Sequence, residues 1–348
     1  MDRDLKNKTL YELEEIVEDF GCKKYLAGYI FAFIHSKDAV DISDISPLSK
    51  TFRGRLTEEG YFISRLKTVQ RFSDPDGTIK YLFESADGSR FESVLLTDGR
   101  RRTLCISTQV GCAMGCVFCA TAGLKLGRDL SAAEIADQLN VIQKDAGKIN
   151  NVVYMGMGEP LQNYDAVLKS LRIINHPKGK NIGLRHLTIS TCGIAGGIKK
   201  LADEDIHPRL ALSLNAPSDE LRSKIMPVNK KDSIKALMEA VKYYQRKTGM
   251  RVTFEYVLIK GLNDSASHAR MLADLVGRVK CNVNLIEYNP HPLCSYAASG
   301  KETIKRFANV LESAGIETVI RFKKGRKIRA ACGQLGADLL SQGKSPER

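Results

Sequence analysis

No stretch of this 348-residue chain approaches the roughly 20 consecutive apolar residues that a membrane-crossing helix needs. The amino terminus also lacks the basic start, apolar run and small-residue cleavage site of a secretory signal. Nine cysteines, an odd number, do not suit a secreted disulfide scaffold. A cytoplasmic protein with reduced thiols and no membrane contact is therefore expected. There is no sequence-identical repeat, and no low-complexity segment beyond a polar tail from Ser341, which is expected to be disordered. The most telling absence is local. Cys112, Cys116 and Cys119 stand in C-x₃-C-x₂-C spacing, and no fourth cysteine falls in step with them.

That spacing has a chemical reading. An iron–sulfur cube normally takes four protein thiolates, so three leave one iron open to an outside ligand. Zinc is the rival, but structural zinc sites favour paired ligands with a second Cys or His pair further along, and none appears here. Three inert buried cysteines are a third possibility. They would be unusual within eight residues of a segment that also holds Gly111 and Gly115.

The charge is uneven. The chain carries +13, with pI near 9.2, which suggests a polyanionic partner. Residues 1–90 hold 14 Lys and Arg against 16 Asp and Glu, so the excess lies in the remainder. Two runs concentrate it: Arg100, Arg101 and Arg102 before Cys105, and Arg321, Lys323, Lys324, Arg326, Lys327 and Arg329 before Cys332. Phosphate contact is expected of both, against the plainer reading of solvated faces.

Residues 1–60 read as a small helical accessory unit. Leu10, Leu13, Ile16, Val17 and Phe20 recur at helical spacing before Gly21, a second helix covers 24–34, and a third is expected from Ser46 with Pro47 in its first turn. Over 61–98 three apolar-alternating segments are joined at Asp76-Gly77 and Asp87-Gly88, the signature of a connecting β-meander. From 99 to 335 strands at 104–108, 152–155, 187–191, 210–214, 252–258 and 283–288 alternate with amphipathic helices, one opening on the capping box Ser131-x-x-Glu134. Six βα units predict an α/β fold with a parallel sheet, curved into a partial barrel or left open, followed by a polar tail over 336–348. In such folds the loops at the strands' carboxyl ends build the active site. The three-cysteine loop, Gly156-Met157-Gly158-Glu159-Pro160, Ser190, Ser213 with Leu214 and Asn215, and Asn289 would all face one mouth. The 156–160 segment is not a dinucleotide fingerprint, because it lacks the third glycine and places Pro160 where the helix should start.

With Phe118 just before the last cysteine and the glycine-rich segment after the second strand, the chain resembles the radical S-adenosylmethionine (SAM) superfamily. The resemblance narrows on Gln109-Val110-Gly111-Cys112, Met155 to Leu161, Ile189-Ser190-Thr191, Ser213 to Pro217, Met226-Pro227-Val228-Asn229, Tyr288-Asn289-Pro290 and Ala330 to Leu335. Together these are similar to the RlmN/Cfr family of radical adenosine methyltransferases over most of the chain.

The resemblance implies a radical-SAM partial (βα)₆ barrel with a 4Fe-4S cluster on Cys112, Cys116 and Cys119. SAM would contact Gly158, Glu159, Ser190, Ser213, Leu214, Asn215 and Asn289. It further implies that Cys332 accepts a methyl group by displacement from one SAM, and that a second SAM, cleaved at the cluster, activates that methyl toward an adenine ring carbon. Cys105 would then resolve the protein–RNA adduct by a disulfide with Cys332, and Glu92 would be the general base. The substrate implied is C2 of an adenosine in 23S ribosomal RNA, and the adenosine 3′ to the anticodon in some transfer RNAs. The accessory domain would grip folded RNA by shape, an electron donor such as flavodoxin would serve the cluster, and a monomer is expected.

Alone, Glu92 would read as a surface carboxylate, and Ser190, Ser213 and Asn289 as strand-end caps. Cys22, Cys192, Cys281 and Cys294 have no partner spacing and read as structural, with Cys192 near the mouth. Asn215 stands where many members have His, and Gly196-Gly197 where Val-Pro is more usual. Pro160, typically Ala in the C8-methylating resistance branch, sides with C2. A glycyl-radical activase and an iron–sulfur RNA-binding or electron-transfer protein are the competing functions. The first needs no methyl-carrying thiol, and the second would normally have four cluster cysteines.

Overall fold

The first helix, α1 (Leu10–Asp19), begins where the sequence supplies a reciprocal cap: Thr9 accepts the Glu12 amide while the Glu12 carboxylate accepts the Thr9 amide. It buries Leu13 and Val17, and Gly21 then turns the chain at a φ of 69°, in the left-handed region that glycine enters without strain. In this computed structural model, which describes residues 2–292, 294–321 and 324–342, α2 (Tyr25–His35) and α3 (Lys50–Glu58) complete the helical amino-terminal region. The third helix starts three residues later than the spacing predicts. Ser46 and Pro47 lie in a turn, and Ser49 is the cap, accepting the Phe52 amide at 3.1 Å. A buried ion pair at 2.6 Å between Lys6 and Asp137, whose other oxygen accepts the Leu66 amide at 2.8 Å, ties this region to the sheet-bearing part.

The strands are β1 (Lys67–Ser73), β2 (Ile79–Glu84), β3 (Arg90–Asp98), β4 (Arg101–Cys105), β5 (Gln109–Gly111), β6 (Leu126–Asp129), β7 (Asn151–Tyr154), β8 (Leu187–Thr191), β9 (Arg209–Ser213), β10 (Val252–Leu258), β11 (Cys281–Glu287) and β12 (Thr318–Arg321). All but the β5–β6 ribbon form one sheet in the order β1-β2-β3-β4-β7-β8-β9-β10-β11-β12. The meander β1–β4 is antiparallel, and every pairing from β4 to β12 is parallel. The meander is thus hydrogen-bonded into the main sheet through β3 and β4. The short α4 (Ala120–Gly123) lies between β5 and β6; crossovers are made by α5 (Ala132–Ala146), α6 (Tyr164–Asn175), α7 (Ala195–Asp203), α8 (Asp219–Ile225), α9 (Ile234–Thr248), α10 (Ala266–Val276) and α11 (Lys301–Ser313), and α12 (Ala337–Gln342) ends the described chain. Leu104, Val152, Ile189, Leu212, Phe254 and Leu285 from the strands are buried with Leu139, Leu171, Leu237 and Leu272 from the helices, each stabilising the fold by about 1.5–3 kcal/mol.

The parallel α/β architecture is as expected, with two differences. A seventh parallel strand, β12, adds to the edge beyond β11; its four residues are too few to show a period next to the basic run. The polar tail is helical over Ala337–Gln342, because Asp338 is drawn down to Lys80 at 2.7 Å. Residues 343–348, the rest of that tail, and Lys323 of the basic run lie outside the described residues. No described helix is long and apolar enough to cross a membrane.

Candidate active site

The loop from Cys112 to Cys119 leaves the β5–β6 ribbon at Gly111, whose φ of 79° and close approach to the Lys125 carbonyl leave no room for a Cβ. The Cys112 amide donates to Lys125 O at 3.0 Å, Val117 to Ile225 O at 3.0 Å, and Cys119 to Cys116 O at 3.1 Å. All three thiols are half-buried and free. Burial pushes Cys112 up to about 12 and Cys116 well above the ordinary thiol value, and the neighbouring thiols add to both shifts. The three sulfurs therefore sense one another electrostatically. Yet no group of three His, Cys, Asp or Glu among the described residues closes around a single-ion position. A tetrahedral zinc at ~2.3 Å from each sulfur needs thiolates about 3.8 Å apart, whereas a cube, with one iron per thiolate, holds its ligands further apart. The donor set, three thiols with no fourth protein ligand in step, suits a cluster with one iron left open.

The rest of the mouth is assembled by the strand ends. Gly158 has a φ of 100°, and a Cβ there would lie 2.6 Å from that of Gln109. Glu159 is buried; its oxygens accept the Leu161 amide at 3.0 Å and the Cys192 amide at 2.7 Å, and burial pushes its carboxyl up. Its carboxylate staples the loop after β7 to the loop after β8. Ser190 and Ser213 stand at the ends of β8 and β9, with no hydrogen bond from either hydroxyl among the described residues. Leu214 is fully buried. Asn215 adopts a left-handed φ of 59°, which Asn tolerates better than most residues, and its Oδ1 accepts the Val257 amide at 2.9 Å.

Sequence reasoning missed Arg222. It is fully buried on α8 and donates to the carbonyls of Leu214 at 3.0 Å, Ser213 at 3.4 Å and Cys192, and to Asn229 Oδ1 at 2.9 Å. Burial lowers its guanidinium pKa, while Cys192 and Cys116 pull it upward. Its only sequence signal was its place seven residues before Asn229 of the Met226 to Asn229 motif. Glu255 was missed as well, although a charged residue in the middle of an apolar strand is itself a signal. It is buried on β10, accepts Asn284 Nδ2 at 2.7 Å, and burial pushes its carboxyl up.

The Cys332 segment closes over this mouth. Ala120 donates to Gly333 O at 2.7 Å, Thr121 Oγ1 to Leu335 O at 2.8 Å, Asn289 Nδ2 to Cys332 O at 3.1 Å and Gln334 Nε2 to Pro290 O at 2.8 Å. The carboxyl-terminal segment is thus bonded directly to the chain just after Cys119. Glu92 completes the attachment: it is buried on β3, paired with Lys80 at 2.8 Å, and accepts the Gly336 amide at 2.7 Å. It is no surface carboxylate. Lys80, also missed, is 1% exposed and bridges Glu92 to Asp338, so a chain of opposite charges holds the segment in place.

Cys332 is exposed to solvent in the open mouth although protein surrounds it on most sides. Burial, followed by the Glu255 charge, pushes its thiol up to about 11, with Arg321 pulling it down. Cys105 is buried at the end of β4, and its thiol is raised by burial and then by Cys332, which places the two within electrostatic reach. Both are free, so no disulfide joins them in this structure. Because the thiolate is the nucleophile, iodoacetamide labelling of Cys332 in the apoprotein is expected to accelerate about tenfold per pH unit from pH 7 and to level off near 11, with Cys105 unlabelled. Peptide mass mapping checks this; equal labelling of both thiols would contradict it.

The basic runs divide differently from the expectation. Among the described residues of the 321–329 run, Arg321 bears on Cys332, whereas Lys324 binds Thr97 O and Asp98, and Arg329 pairs with Asp338 at 2.7 Å. Arg101 and Arg102 lie inside β4 at its amino end, away from the mouth, and Arg102 caps α5 by donating to Ala146 O. Proximity in sequence to Cys105 was misleading, because a strand separates them.

The radical SAM superfamily model matches residues 106–272. The chain is 44% identical over 339 residues to the "probable dual-specificity RNA methyltransferase RlmN" of Thermoanaerobacter pseudethanolicus, covering 97% of this chain and 99% of that one. The protein of the same description from Alkaliphilus oremlandii is 47% identical over 334 residues, covering 95% and 97%. Among solved structures, a radical SAM methyltransferase from Sphaerobacter thermophilus superposes with a TM-score of 0.91 at 42% identity, covering 97% of this chain and all of the other.

Proposed function

Because the chain belongs to the RlmN family of radical SAM RNA methyltransferases, we propose that it methylates C2 of an adenosine in 23S ribosomal RNA, and the adenosine 3′ to the anticodon in some transfer RNAs, with Cys332 as methyl carrier. The observation that carries this reading is the docking of the segment that holds free, solvent-accessible Cys332 onto the chain just after Cys119, with Cys332 within electrostatic reach of buried Cys105. A purely electron-transferring or RNA-binding protein has no use for such a thiol pair.

Cys112, Cys116 and Cys119 would hold the cluster, leaving one iron for SAM. Bound together, cluster and SAM supply a sulfonium methyl group and, on one-electron reduction by a donor such as flavodoxin, a carbon-centred hydrogen abstractor. Ser190 and Ser213 offer free hydroxyls to SAM, Gly158 lets it approach the backbone, and Asn289 sets the height of the Cys332 segment. Glu159, Leu214 and Asn215 shape the pocket walls.

Adenine C2 is electron-poor and its hydrogen barely acidic, so it does not displace a sulfonium methyl directly. Cys332 solves this by accepting the methyl group on its own sulfur and presenting it to the ring as a carbon that has lost one hydrogen. Once that carbon is bonded to C2, Glu92 takes the C2 proton, and the single electron left on the ring would return to the bound cluster. Cys105 then attacks the Cys332 sulfur: the S–S bond forms, the S–CH₂ bond breaks, and the released carbon is protonated to methyl. The resulting disulfide must be reduced before the next turnover.

Anaerobically reconstituted protein with SAM, reductant and unmodified 23S RNA is expected to yield 2-methyladenosine on nuclease digestion and mass spectrometry. 8-Methyladenosine would overturn the C2 assignment, which rests on Pro160. SAM cleavage without methylated RNA would overturn the substrate.

A further inference from the structure

The sheet has a second charged end. At the amino ends of three strands of the sheet, opposite the mouth, Arg101 on β4, Arg185 just before β8 and Arg209 opening β9 are all exposed. Pairing sets them on a stagger: Thr103 lies beside Asn151, Val152 beside Leu187, and Thr188 beside both Val153 and Arg209, so along the sheet Arg101 stands furthest from the mouth and Arg209 nearest. His186 reports that they converge. Its Nδ1 meets Asn151 Oδ1 at 3.0 Å, its Nε2 accepts Arg185 Nε at 3.1 Å, and its pKa is lowered by burial and then by Arg185, Arg209 and Arg101.

None of the three arginines has a carboxylate partner among the described residues. The acids on the neighbouring loops are taken elsewhere: Asp145 by Arg71, Asp203 by Lys247, and Asp205 by Arg172. Three uncompensated guanidiniums spread over three strand spacings, roughly 14 Å, are too wide for a single phosphate and suit a polyanion. We propose that this face is a second RNA-backbone contact, engaged by the body of a large substrate while its target adenosine occupies the mouth. The proposal rests on the RNA methyltransferase reading. An acidic electron-donor protein centred on this face suits it less well, because β4 alone sets Arg101 about 13 Å of strand from Cys105, with the cluster loop beyond, and electron transfer weakens steeply with distance.

The test uses the full chain carrying Arg101→Glu, Arg185→Glu and Arg209→Glu together, a long 23S RNA fragment, and a short hairpin excised around the target adenosine. For the long fragment, Kd is expected to rise at least about tenfold and the slope of log Kd against log salt to fall by about 3. Hairpin Kd and dithionite-driven kcat on the hairpin stay unchanged. The matching triple Lys variant retains tight binding, which supports a charge contact over a folding defect. Unchanged affinity for the long fragment, or equal weakening for both RNAs, would overturn the proposal. So would a defect seen only when flavodoxin replaces dithionite, since that assigns the face to an acidic protein. Wild-type protein that binds neither RNA would instead sink the RNA methyltransferase reading itself.

Discussion

Cys332→Ala is expected to lower RNA methylation by at least about 10⁴-fold while leaving reductive cleavage of SAM in place, because the variant removes the methyl carrier and leaves the cluster ligands untouched. The structure makes the substitution clean. Cys332 is held through its backbone carbonyl by Asn289, and its neighbours through Ala120, Thr121 and Pro290, so none of these bonds depends on the thiol. Cys105→Ala should fail at a different stage. The methyl reaches RNA, but no second thiol is left to break the S–CH₂ bond, and a covalent protein–RNA adduct accumulates. Denaturing gel electrophoresis of labelled RNA with each variant separates the cases: free unmodified RNA for Cys332→Ala, a retarded band for Cys105→Ala. Normal product from either would show that the two-thiol route is wrong.

The sequence made the three-cysteine loop legible because its ligands are local, and the six long strands legible because their apolar runs are long. It also placed Ser190, Ser213 and Asn289 at strand ends, where they stand in the fold. What stayed hidden is set by contacts distant in sequence. Lys80 and Asp338 are far apart in the chain yet bridge Glu92 to the carboxyl-terminal helix, which is why the stretch just before Ser341 is helical. The arginines at 100–102 seemed to approach Cys105, but strand geometry sends Arg101 and Cys105 to opposite ends of the sheet. Asn215 illustrates a third limit. Its backbone conformation and the Val257 amide explain why an amide side chain suits this position, and neither can be inferred from the residue type alone.

Arg222→Met tests whether the mouth depends on a buried cation. The variant leaves the carbonyls of Leu214, Ser213 and Cys192 and the Asn229 side chain without their donor, at about 1–3 kcal/mol for each that stays buried and dry. Part of that loss is offset, because burying the guanidinium is itself costly, as its lowered pKa records. A net destabilisation of roughly 3 kcal/mol is expected in urea denaturation of the apoprotein. The consequence should not stop at stability. Arg222 clamps the ends of β8 and β9, and the loops it holds pack against Cys116, so the variant should also take up less iron on reconstitution than wild type. Arg222→Lys, a single ammonium in place of a fork of donors, should fall between the two. Stability within about 0.5 kcal/mol of wild type, the range of an ordinary surface substitution, together with full iron content, would mean the loops hold themselves. The cation would then be a passenger of the fold rather than the part that keeps the mouth in shape.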